Sequence, residues 1–331
     1  MFLDFGMNAQ NELVSIDETH RGLTDLTCPY CGERLIARKG QVLVHHFAHI
    51  GNTCRDVLEQ RHHAYIPVYD KFNLGLSNNE VLYLEGIYRQ LPESANYLNV
   101  VSPHNLEQWG FIKLNEYRTY WSRWGDQWDI TTKGKIPFGG ASLQRFAEIQ
   151  QEVQLTRYRK LAEDVFSHVR LALPVQTVLG DFRIYRAQLR RIYAAKLYFL
   201  EIKHSDGTLY KIGITRRDIE ARIEEIYRDL APHLNQVKIK PLRLLQYRGS
   251  IEFYFKLRYQ AQHTPIGNYT EYFTFENRRT VLADLTKLAD YEPTGDIAAI
   301  LGQTTTPLEA DIHRIAEEAA RQNALKQAAQ T

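Results

Sequence analysis

Two apolar runs, Leu197 to Ile202 and Leu209 to Thr215, flank a short stretch containing Asp206-Gly207, and Ile219, Ile223, Ile226 and Leu230 follow at once. No other stretch constrains the fold as much. Asp-Gly tolerates the positive φ of tight hairpin turns, so the two runs read as an antiparallel hairpin. The isoleucine spacing reads as an amphipathic helix, with Thr215 three residues before Asp218 in the pattern of a capping box. Arg222 lies at the edge of the apolar stripe, where packing holds its stem while the guanidinium reaches the surface shared with the hairpin. A tight turn centred on Asp206-Gly207 would pair Lys211 with Ile202 and leave Tyr198 two cross-strand pairs away, so a wider loop from Lys203 to Thr208 is expected.

Four pieces arrive in order along this stretch: Lys196-Leu197-Tyr198, Lys211-Ile212-Gly213, Arg222 nine residues after Gly213, and Thr270-Glu271-Tyr272-Phe273. Together they resemble the GIY-YIG nuclease superfamily, in particular its phage-type, Mug113-like branch with a KIG second motif. The resemblance implies a small mixed antiparallel-sheet nuclease domain over residues 196–290 and metal-dependent endonucleolytic cleavage of DNA. Tyr198 would be the general base, assisted by Lys211, whose positive charge favours a phenolate over a phenol of pKa ~10. Arg222 would grip the phosphate with its planar fork, and Glu271 would hold Mg²⁺, a hard cation that prefers oxygen ligands. The same chemistry would serve on RNA or branched DNA. The rival is a non-catalytic DNA-binding or regulatory protein that keeps the shape as a scaffold.

All three cysteines fall in the first sixth of the chain. An odd number in a chain with no secretory pattern points away from disulfides and toward a metal. Cys28-Pro-Tyr-Cys31 forms a CxxC knuckle, and His45-His46-Phe47-Ala48-His49 and Cys54 follow. Structural Zn²⁺ takes four thiolate or imidazole ligands, two from one tight turn and two from a later segment. Cys28, Cys31, His49 and Cys54 make such a set, with His46 as the alternative to His49. The run from Leu26 to Cys54, with CPYCGERL, a Lys39-Gly40 turn and HFAH, resembles the zinc-ribbon-like N-terminal region of the CoiA-like family, which is linked to DNA uptake and processing. Glu59 to His62 resembles that family's next helix, and a helix is expected to continue over 64–76, closing a module at residues 1–76.

Residues 77–195 read as a mainly helical linking or DNA-contacting region. Val81 to Ile87 suggests a strand, and Leu143 to Leu173 a long helix ended by Pro174. Trp121, Trp124 and Trp128, at i, i+3 and i+7, suit an amphipathic helix docked on a core better than a stacking platform for bases. Asp181 to Ala195, with Arg183, Arg186, Arg190 and Arg191, reads as a basic helix able to track a DNA backbone. Residues 291–331 read as a helical tail, and a Gly302 turn between two helices allows a small helix-turn-helix. The net charge of the 331 residues is only +2, but 17 Lys and Arg stand against 8 Asp and Glu between Phe182 and Tyr259, which favours a nucleic-acid partner.

No run of about eighteen apolar residues could cross a membrane, and the acidic start is no secretory signal, so a cytoplasmic location is expected. The expected fold class is α+β: a zinc-ribbon-like module, a helical middle, a GIY-YIG-like domain and terminal helices. Restriction, phage defence or a mobile element would suit such a protein.

Overall fold

A computed structural model describes residues 3–9, 13–40, 44–54, 57, 78–90, 101–123, 125–140, 142–269, 271–288 and 291–328. The expected helices at 59–62 and 64–76 lie outside them, as do Trp124 and Thr270. In chain order the elements are β1 Phe5–Met7, β2 Leu13–Ser15, β3 Gly22–Thr27, β4 Arg34–Arg38, β5 His46–His49, α1 Asn78–Arg89, α2 Pro103–Gln108, β6 Ile112–Leu114, α3 Glu116–Trp121 and β7 Trp128–Ile130. There follow α4 Leu143–Arg170, α5 Gln176–Tyr193, β8 Lys196–His204, β9 Gly207–Thr215, α6 Ile219–Leu230, β10 Lys238–Leu245, α7 Glu252–Arg258, β11 Tyr272–Phe273, α8 Arg278–Thr286, α9 Gly295–Ile300 and α10 Pro307–Ala328. The fold is α+β with antiparallel sheets, and no described helix is long and apolar enough to cross a membrane.

The chain divides into two compact units, each drawn from separate stretches. One comprises Met1–Pro67, Glu152–Arg191 and Pro293–Thr331; the other comprises Val68–Gln151 and Ile192–Glu292. In the first, an antiparallel sheet runs in the order β2-β1-β3-β4-β5. Period-2 alternation places Leu26, Leu35, Ala37 and Phe47 in its core. Two of the four arginines of α5 are committed within this unit. Arg186 donates to Glu309 (2.6 Å) and to the Ala299 carbonyl (3.0 Å), and Arg191 donates to Asp17 (2.7 Å). Glu309 also accepts from the Tyr158 hydroxyl. The residues Ile297 to Ile300 of α9 are buried, and Gly302 turns the chain toward α10 with φ +78°.

The second unit is built on the sheet β10-β8-β9-β11, antiparallel throughout. Its two central strands are covered on both faces. Leu197 and Phe199 of β8 join Tyr210, Ile212, Phe273 and residues of α1, α2, α7 and α8 in one core. Tyr198, Leu200 and Ile202 point the other way, against Ile219, Ile226 and Leu230 of α6. This alternation decides where every candidate catalytic residue can lie.

Four local expectations are corrected. The hairpin turn is tight rather than wide, and it is centred on Ser205-Asp206, with His204 opposite Gly207. The Ser205 hydroxyl donates to Asp206 and the Asp206 amide to His204, which lets the turn close one residue earlier than Asp-Gly suggests. Thr215 does not form a capping box: Asp218 is the N-cap, and the Thr215 hydroxyl accepts from the Arg217 amide at 3.1 Å. Val81 to Ile87 is helical, because Tyr83, Leu84 and Ile87 meet the core at helical spacing. The tryptophans do not share a helix. The helix α3 stops at Trp121, Gly125 takes a φ of +83°, Trp121 is 70 % exposed and Trp128 lies on a strand.

Candidate active site and metal centre

The register of β8 and β9 assembles the first cluster. Tyr198 pairs with Gly213 and Leu200 with Lys211, while Tyr272 of β11 pairs with Lys211 from the other side. Tyr198, Lys211 and Tyr272 therefore share the face that α6 covers. From α6, Arg222 Nε donates to the Tyr198 hydroxyl at 3.3 Å, and its Nη1 donates to Glu225 at 2.7 Å. Gly213 is required by this packing: a Cβ there would stand 2.3 Å from the Tyr198 hydroxyl oxygen.

Lys211 was expected to assist Tyr198. It donates instead to Glu271 Oε2 at 2.5 Å, with its ammonium 4.4 Å from the centre of the Tyr272 ring. The sequence reading missed the other partner of Glu271. Lys256, on α7, donates to Glu271 Oε1 at 3.4 Å and to Glu252 Oε1 at 2.8 Å. Glu252 and Lys256 stand four apart on one helix, a pattern that usually marks a solvated ion pair. Their burial is what sets them apart, and spacing does not reveal it. The Lys211 side chain is 3 % exposed, Lys256 9 % and Glu252 16 %, whereas Glu271 is 40 % exposed. The Tyr272 hydroxyl is buried without a hydrogen-bond partner among the described residues.

The electrostatics follow from that burial. Burial works to raise the Glu271 carboxyl, but Lys211 and Lys256, with Arg222 behind them, outweigh it and bring it to about 2. Burial pushes the Tyr198 phenol up, and Arg222 beside it acts in the opposite direction. Burial lowers the Lys211 ammonium against the pull of Glu271, and it raises the Glu252 carboxyl against that of Lys256. The cluster offers a carboxylate at the solvent edge, an arginine on a phenol, and two buried ammonium groups.

The second cluster is built by the N-terminal sheet. The Cys28 amide donates to the Glu33 carbonyl and the Gly32 amide to the Cys28 carbonyl, closing the knuckle just before β4. In β4, Leu35 pairs with His49 of β5, which brings that imidazole to the knuckle. Cys31 Sγ lies 3.3 Å from His49 Nε2, Cys28 Sγ lies 4.0 Å from Cys54 Sγ, and all four ligand atoms lie within 4.8 Å of one another. A tetrahedral Zn²⁺ spaces its ligand atoms by about 3.5 to 4 Å, so these four can hold such an ion. The hydrogen bond between the knuckle cysteines brings the Cys31 thiol down to about 5 and pushes Cys28 up. His46 does not join the cluster. Three residues along an extended strand it points to the opposite face, where its Nδ1 meets the Val44 carbonyl at 2.8 Å. Between the cysteines, the Tyr30 hydroxyl donates to Asp181 of α5 at 2.9 Å.

No curated protein and no solved structure matches the chain. One region does match a family: residues 10–55, which carry Cys28, Cys31, His49 and Cys54, match the N-terminal domain of the competence protein CoiA.

Proposed function

We propose that the protein is a metal-dependent endonuclease that hydrolyses DNA phosphodiester bonds with a site of GIY-YIG type. The observation that carries this reading is convergence. Residues singled out from motif order alone, on β8, β9, α6 and immediately before β11, meet in one cluster, with Arg222 on Tyr198 and Lys211 on Glu271. A sheet face beneath a helix ordinarily carries hydrophobic residues, and burying the Lys211 ammonium there costs stability that a merely structural position does not require.

In this reading Tyr198 takes the proton from the attacking water, and Arg222 both favours the phenolate and presents its remaining N–H groups to the phosphate. Glu271 fits the role of Mg²⁺ ligand, because it is held ionised and is the exposed member of its cluster. Mg²⁺ keeps several waters and binds through one or two carboxylates together with substrate phosphate, so a single glutamate suffices as its protein anchor. The ion would supply charge neutralisation at the phosphoryl and leaving oxygens. Lys211, beside Glu271, would present its ammonium to a phosphate oxygen. Zn²⁺ at the N-terminal cluster would be structural, since four protein ligands leave no open position.

The burial of Tyr198 and the double pairing of Glu271 favour a second reading, a DNA-binding or regulatory protein that keeps this site closed as a scaffold. Incubation with supercoiled plasmid, with and without Mg²⁺, separates the two. Nicking that needs both the ion and Glu271, judged with Glu271→Gln, is the expected result. DNA binding without cleavage in any divalent ion would favour the scaffold.

A further inference from the structure

Lys256 is a buried ammonium shared by two carboxylates, Glu252 at 2.8 Å and Glu271 at 3.4 Å. The two contacts are unequal, and so are the two glutamates: Glu252 is enclosed, while Glu271 faces solvent. A divalent cation reaching Glu271 must displace the ammonium groups already there, because like charges repel strongly where water is scarce. Releasing a buried lysine is costly when it is left unpaired and cheap when another carboxylate already holds it. Lys256 has such a second holder. Lys211, by contrast, makes one ion pair among the described residues, to Glu271, and lies over the face of the Tyr272 ring.

We propose that Glu252 and Lys256 are positioning residues that set how readily Glu271 takes up a divalent cation, with Glu252 receiving Lys256 when Glu271 gives it up. This deepens the nuclease reading and rests on it. The two residues act in opposite senses and in series. Removing Glu252 ties Lys256 to Glu271 and opposes the ion, whereas removing Lys256 clears one positive charge from the ion's path. Once Lys256 is gone, Glu252 has nothing to hold. A purely structural ion pair has no such asymmetry, since losing either member would loosen the site in the same way.

The test is Mn²⁺ binding to the zinc-loaded protein without DNA, followed by the electron paramagnetic resonance of free Mn²⁺, with the Mg²⁺ dependence of plasmid nicking beside it. Glu252→Gln should weaken Mn²⁺ binding about fivefold and Lys256→Met should tighten it by a similar factor, as expected for one charge acting across a partly buried site. In the Lys256→Met background, Glu252→Gln should change nothing. That double variant also removes both buried charges together, so it keeps the test valid if a single variant folds poorly. Lys256→Arg, which keeps the charge, should stay near wild type. Single variants that both weaken binding, or a Glu252→Gln effect that persists without Lys256, would overturn the proposal alone. A wild type that binds Mn²⁺ no better than Glu271→Gln would overturn it together with the metal role of Glu271.

Discussion

The two polar clusters of this chain solve opposite electrostatic problems. At the N-terminal sheet, three thiols and an imidazole crowd within 4.8 Å of one another. On the β8–β9 sheet, Glu271 and Glu252 are already matched by Lys211 and Lys256. The first arrangement can hold a metal, and an ion bound there would add to the stability of the folded sheet. The second is neutralised by the chain itself and needs no ion to persist. Where the cation comes from therefore separates a site that a metal could complete from one that a metal would have to remodel.

The largest expected effect tests that contrast directly. Stripping zinc with a strong chelator, or substituting Cys28→Ser, should unfold the five-stranded sheet, because structural zinc contributes about 10 kcal/mol or more in small domains. Hydrogen exchange would then show β3, β4 and β5 losing protection while β8 and β9 keep theirs; equal loss in both sheets would break the distinction. A smaller effect is expected at Gly213. Gly213→Ala forces a methyl against the Tyr198 hydroxyl and should cost about 1 to 3 kcal/mol in denaturant unfolding, as overpacking does. If stability were unchanged, the close approach of strand and ring would not be real. The smallest effect is in pH. The Glu271 carboxyl lies at about 2 when folded, below an unfolded value near 4.3, so its contribution is complete above about pH 4.3 and fades as pH falls toward 2. Over that window the melting temperature of wild type should fall more steeply than that of Glu271→Gln. Parallel curves would mean that Lys211 and Lys256 do not hold the carboxylate.

The metal cluster was legible because cysteine chemistry is specific and all four ligands lie within 27 positions, where two adjacent strands and one turn bring them together. Only the choice between His46 and His49 needed structure, since it depends on which face of β5 meets the knuckle. The hairpin and α6 were legible from periodicity, yet the turn was displaced by one residue because His204, Ser205 and Asp206 bond locally. Val81 to Ile87 misled because a short apolar run fits either period. Glu252 and Lys256 left no readable signal. Their spacing is that of an ordinary surface pair, and only the packing of α7 beside β9 reveals that they are enclosed.

The composition of the first unit has a consequence for synthesis on the ribosome. Its sheet and its cysteine ligands emerge well before Glu309, the partner of Arg186 and Tyr158, which lies on α10. Domains generally fold as they emerge, N-terminal first. Here the first unit is interrupted by residues 192–292 of the second, and until α10 arrives Arg186 lacks its carboxylate partner. A chain cut short before α10 would carry a complete β8–β9 sheet and a cysteine-bearing unit whose Arg186 has no carboxylate to meet.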